Sequence, residues 1–126
     1  MNNINIGINF ALSILMKIAI TTDKDNLQSL VALDIEHTNY FLIIDTVNKE
    51  QYNFIPNMYN KTISGAEVFC SQFLIQQGIE KLICGNYSTQ AAQILLLAGI
   101  KIEYKSGSQV SELINLITND DYIKNI

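Results

Sequence analysis

Glu80-Lys81-Leu82-Ile83-Cys84-Gly85-Asn86-Tyr87-Ser88-Thr89-Gln90-Ala91 runs on through Ala92-Gln93-Ile94-Leu95-Leu96-Leu97-Ala98 to Gly99-Ile100, and this stretch decides the architecture of the chain. A short apolar run ends in small, turn-prone, hydroxyl-bearing residues, and apolar residues at helical spacing then follow as far as Gly99. That is a strand, a tight loop and a helix, with Ser88 or Thr89 placed to cap the helix N-terminus. In open α/β sheets, ligands settle outside the carboxyl ends of strands, beside the helix N-termini that follow. The loop over residues 84–90 is therefore the first candidate for binding.

Working outward, the same alternation repeats. Ala66, Phe69, Cys70, Phe73 and Leu74 recur at helical spacing and predict a helix over 64–77, with Gly78 as its stop. A strand over 81–84, a helix over 89–98, a strand over 100–104 and a helix over 109–117 come next. Strands joined by helices of this length need crossover connections and pair in parallel. Upstream the pattern is different. Residues 17–21 form an apolar strand that ends in the polar cluster Thr22-Asp23-Lys24-Asp25-Asn26, and residues 27–33 read as a loop with some extended structure. Tyr40-Phe41-Leu42-Ile43-Ile44-Asp45 is aromatic and β-branched, hence a strand. Turn residues 47–50 join it to the half-exposed, alternating strand 51–56, which Pro56 closes.

These readings give an α/β fold with a mixed five-stranded sheet, helices on both faces, and the strand near 40–46 as the antiparallel one. Three parts follow: an N-terminal leader or arm over 1–15, an α/β domain over 16–118 and a C-terminal tail over 119–126. The leader is Asn- and Ile-rich and uncharged. It lacks the basic start and cleavage site of a secretory signal and is too short to span a bilayer. Met16-Lys17 reads as a natural protein start. The residues before it then derive from an upstream start codon, or form an arm that packs on the domain or on a second copy as a homodimer.

Composition narrows the partners. Among 126 residues, 48% are apolar and 16% charged, as in a folded globular chain. The net charge is −4 and the cations are scattered singly, which excludes the basic stripe that nucleic acid requires. Two isolated cysteines, Cys70 and Cys84, fit a reducing, cytoplasmic setting rather than a disulfide framework. Cys70, in mid-helix, reads as a small buried hydrophobe, whereas Cys84 ends a strand facing the candidate loop.

The opening Met16-Lys17-Ile18-Ala19-Ile20-Thr21-Thr22-Asp23, the strand Tyr40–Asp45, Gly65-Ala66, Gly78-Ile79, Gly85 with Ala91, and Leu95 through Gly99-Ile100 occur in a particular order. In that order and spacing they resemble the dinitrogenase iron–molybdenum cofactor biosynthesis family, the NifX-like domain also found at the end of NifB-type proteins. The resemblance covers residues 16–118. It implies a three-layer α/β/α sandwich of ribonuclease H-like topology and a small, non-enzymatic carrier for an iron–molybdenum or iron–sulfur cluster. Two loops depart from the family pattern. Where many members carry H-F-G-R-A-x-Y-F, this chain has Asp34-Ile35-Glu36-His37-Thr38-Asn39-Tyr40-Phe41. Where members tend to carry G-G-I-G-P-N-A, it has Gly85-Asn86-Tyr87-Ser88-Thr89-Gln90-Ala91.

A metal cluster wants soft thiolate or imidazole donors in a positive setting. Cys84 and His37 are the expected metal ligands, and Lys24 is the nearby cation. Gly85, Asn86, Ser88 and Thr89 are expected to bring the loop and helix N-terminal amides to an anionic cofactor or small anion. The alternatives are a solvated His37 and a plain helix cap at Ser88 and Thr89. Residues 22–26, 34–39 and 84–90 are expected to line one depression. Enzyme readings lack support. There is no G-x-S-x-G elbow, and the fourth strand ends in Cys84-Gly85 with no acid to join Asp23 and Glu67 in a nuclease-like metal site. The competing reading is a degenerate family member that works through protein–protein contact.

Overall fold

The structure is a computed structural model that describes residues 16–46, 51–61, 64–86 and 89–117. The predicted leader 1–15, the tail 119–126, the turn over 47–50 and Ser88 lie outside the described residues. Five strands, β1 (Lys17–Thr22), β2 (Tyr40–Asp45), β3 (Tyr52–Pro56), β4 (Lys81–Cys84) and β5 (Lys101–Tyr104), form one sheet in the order β3-β2-β1-β4-β5. Three helices accompany them: α1 (Ala66–Gln76), α2 (Thr89–Leu97) and α3 (Val110–Ile117). β2 pairs antiparallel with both β1 and β3, while β4 pairs parallel with β1 and β5, so β2 alone runs against the rest.

β1 lies at the centre because Ile18, Ala19 and Ile20 have to be buried on both sides of the pleat, and only a central strand allows that. Ile18 stands opposite Ile44, and Ile20 opposite Leu42 and Ile83. These five side chains meet Val110, Leu113, Ile114 and Ile117 of α3 in one core. On the other face Ala19, Phe41, Leu82 and Cys84 meet Cys70 and Leu74 of α1 and Ala91 and Leu95 of α2. Phe41 and Phe73 reinforce this second core, with their ring centroids 5.7 Å apart. The helix stops fall where expected, with Gly78 (φ 74°) and Gly99 (φ 83°) in the left-handed region that closes a helix. The sheet thus carries its parallel strand ends, and the helix starts after them, toward one edge.

Candidate functional site

At that edge three chain segments are tied together by backbone geometry. Leaving β1, Thr21 exchanges bonds with Ala32: the Ala32 amide donates to the Thr21 carbonyl at 2.8 Å, and Thr21 Oγ1 donates to the Ala32 carbonyl at 2.8 Å. Past β4, the Gly85 amide donates to the same Ala32 carbonyl at 2.9 Å. Leading into β2, Thr38 Oγ1 donates to the Thr22 carbonyl at 2.8 Å, and Asn39 Nδ2 to the Asp23 carbonyl at 3.1 Å. Asn57, just past β3, is buried and holds the loop from behind by donating to the Ile35 and Thr38 carbonyls at 3.2 and 3.0 Å. Such side-chain bonds do for an irregular loop what ladder bonds do for a strand.

The result is a depression of about 260 Å³ lined by Asp23, Ala32, Leu33, Asp34, His37 and Thr38. Residues 22–26 and 34–39 contribute to its lining, while Gly85 touches it only from beneath, against Ala32 and Leu33. A larger concavity of about 440 Å³ lies at the opposite end of β1, around Lys17, Asp45 and Gln77, and includes none of the predicted site residues.

His37 sits at the rim with its side chain 74% exposed. Its conformation is set locally. Asp34 Oδ1 accepts the His37 backbone amide at 2.8 Å, and the same carboxylate faces Nδ1 at 3.0 and 3.1 Å. The hydrogen bond and the charge of Asp34 raise the imidazole pKa above its ordinary value. Glu36 lies between, with Oε1 4.0 Å from His37 Nδ1, and burial raises its own carboxyl pKa. Asp34, Glu36 and His37 present one donor atom each within 4.8 Å of one another. Of these three, the sequence points only to His37, expected as a ligand together with Cys84. The signal for the other two was the D-x-E-H spacing, in which an aspartate accepts the amide three residues on and folds the segment back on itself.

The other predicted residues scatter in role. Cys84 is 3% exposed, belongs to the α1/α2 core, and its Sγ lies 3.4 Å from the Asn86 carbonyl as a thiol donor. Burial, with Asp34 and Glu36 adding, pushes that thiol up to about 11, so it is held as neutral SH. Cys70 is fully buried as expected and bonds Asn57 Oδ1 at 3.4 Å. The Gly85 amide is already engaged by Ala32. Lys24, Asn86 and Thr89 are exposed, and Thr89 opens α2. The expected setting for an anionic cluster was positive. The lining instead carries Asp23 and Asp34, with Glu36 beside them. The donor set therefore does not fit a cluster ligated through a Cys84 thiolate.

A mixed α/β module with its loops gathered where the parallel strands end is the class that fold and site define. The chain belongs to the dinitrogenase iron-molybdenum cofactor family, whose sequence profile matches residues 16–120. Among solved structures it is similar to the apo form of the orange protein from Desulfovibrio gigas, at 25% identity and a TM-score of 0.73, covering 79% of this chain and 84% of that one. It is similar to a candidate NifB protein from Thermotoga at 26% identity and a TM-score of 0.69, covering 82% and 87%. A candidate dinitrogenase from Methanocaldococcus jannaschii shares the fold at 21% identity and a TM-score of 0.59, covering 82% and 88%. No curated protein sequence matches the chain significantly.

Proposed function

We propose that this protein is a non-enzymatic carrier or accessory module for a metal cofactor of the iron–molybdenum or iron–sulfur class, working in the cytoplasm. In this reading its sheet and helices are a three-layer α/β/α sandwich of ribonuclease H-like topology. The observation that carries the reading is the family match over residues 16–120, together with a loop-lined depression at the strand ends of the same domain. Among the described residues no helix is long and apolar enough to cross a membrane.

The roles proposed for individual residues follow from where their atoms lie. His37 offers an exposed borderline donor, and Lys24 an exposed cation on the neighbouring loop. Asn86 and Thr89 flank the start of α2, whose first amides lack intrahelical partners and favour an anion, and the role proposed for Ser88 beside them rests on the sequence alone. Gly85 serves by letting two backbones touch. Cys84 supports the strand from inside and does not ligate.

Anaerobic reconstitution, followed by metal analysis and an absorption spectrum, tests this. The expected result is cofactor uptake that is weakened in His37→Ala and retained in Cys84→Ala. If the wild-type chain takes up neither an iron–sulfur nor an iron–molybdenum species, the carrier reading fails and contact with a protein partner becomes its replacement.

A further inference from the structure

We propose that Asp34, Glu36 and His37 form a binding site for a single divalent first-row transition cation. Three observations lead there. The first is distance. Ligand atoms around a four-coordinate Zn²⁺ with bonds of about 2.0–2.1 Å stand roughly 3.3 Å apart. His37 Nδ1 already lies 3.0 Å from Asp34 Oδ1 and 4.0 Å from Glu36 Oε1, and all three donors fall within 4.8 Å of one another. Side-chain rotations that close the wider gaps, of up to 4.8 Å, to that spacing bring them onto one ion.

The second is the second oxygen of Glu36. Oε2 is buried and has no hydrogen-bond partner among the described residues, in a side chain only 17% exposed. A carboxylate withdrawn from water is costly to keep charged, and a cation bound at Glu36 offsets that cost. The third is charge. Asp34 and Glu36 bring two negative charges to one edge of the depression, and Asp23 lines its wall. That field attracts a dication.

The donor set also selects the ion. Two carboxylates and one imidazole, with no thiolate, suit borderline ions such as Zn²⁺. Ca²⁺ and Mg²⁺ prefer shells built from oxygen alone. The exposed His37 leaves the remaining coordination positions to water, an open site of three protein ligands. The Asp34 carboxylate that accepts the His37 amide also fixes the turn, so the loop is folded for the ion before it arrives.

The site does not depend on the carrier reading, and the two fail separately: cluster uptake is read by iron and molybdenum content, this site by Zn²⁺ alone. The test is calorimetric titration of the metal-free chain with ZnCl₂ near neutral pH, beside Glu36→Gln, His37→Ala and Cys84→Ala. The expected result is one equivalent bound by wild type and by Cys84→Ala. Glu36→Gln and His37→Ala should each lose at least about tenfold, since even partners one shell removed from a metal are worth 10–100-fold. Both variants change a loop side chain outside the two cores, and thermal melts without metal confirm their folding. Zn²⁺ should raise the melting temperature of wild type more than that of either variant. Two results overturn the proposal: no Zn²⁺ binding by the wild type, or an affinity equal to that of Glu36→Gln and His37→Ala. Equal or tighter binding of Mg²⁺ would overturn the assignment to a transition cation.

Discussion

Replacing Gly85 by alanine probes the contact on which the candidate site is built. A Cβ at this position would lie 2.9 Å from the Ala32 carbonyl oxygen and 3.1 Å from Leu33 Cα. Both are backbone atoms, so no side chain can swing aside. Nor is the Ala32 carbonyl free to retreat, because it accepts from the Gly85 amide at 2.9 Å and from Thr21 Oγ1 at 2.8 Å. Forcing an extra methyl into a packed position costs about 1–3 kcal/mol. The alanine loses less chain entropy on folding than glycine, which returns about 0.4–1 kcal/mol. Taking the middle of each range, about 2 less about 0.7, the net loss is roughly 1–2 kcal/mol. For a domain near 100 residues each kcal/mol moves the melting temperature by about 4–8 °C, so Gly85→Ala should melt roughly 4–15 °C lower. Urea titration should show a lower midpoint at unchanged slope, since the surface exposed on unfolding is the same. A melting temperature within about a degree of wild type would refute the reasoning, because it would mean that the 32–33 backbone yields freely.

Further outcomes follow from the same structure. Cys84→Ala should lose about 1 kcal/mol of stability, as for a small buried side chain, and neither native thiol should react with an alkylating reagent at pH 8 until denaturant is added. Burial pushes both Cys70 and Cys84 up to about 11, so rapid native labelling of Cys84 would contradict its place in the core. Glu103 on β5 pairs with Lys81 and with Lys105, the latter at 3.3 Å. Burial alone would raise its carboxyl pKa, but the hydrogen bond and charge of Lys81, then those of Lys105, outweigh this and lower it. A depressed folded-state pKa stabilises above the unfolded value near 4.3 and loses that contribution as pH falls through the lower folded value. Glu103→Gln should therefore cost roughly 0.5–1 kcal/mol at neutral pH, a modest figure because the pair is partly solvated. The difference should vanish in acid. An equal gap at pH 7 and below pH 3 would contradict the ion-pair origin.

Much of the fold was legible in the order of the residues. The aromatic and β-branched run Tyr40–Asp45, followed by an alternating segment stopped at Pro56, specified a hairpin. The change to helical spacing after it specified parallel strands, because a crossover helix returns the chain to the same end of the sheet. Gly78 and Gly99 marked where α1 and α2 stop, since a left-handed closing residue is cheap only without a Cβ. Cys70, at a helical apolar position, was readable as core.

The site was legible only as a place. Sequence puts Cys84 at a strand end but does not say how deep that end lies. Depth came from tertiary packing, with α1 and α2 closing over Leu82 and Cys84 and the Ala32–Leu33 backbone pressing on Gly85. The same packing keeps the thiol neutral. The spacing of Asp34, Glu36 and His37 is local and could be read directly. That Glu36 would be drawn under the surface, with one oxygen left without a donor among the described residues, depends on how the loop packs. Periodicity records which neighbours a residue has along its own element, and this fixes the strands and helices. Desolvation depends on what other elements bring to the same point, and this decides which side chains remain available for chemistry.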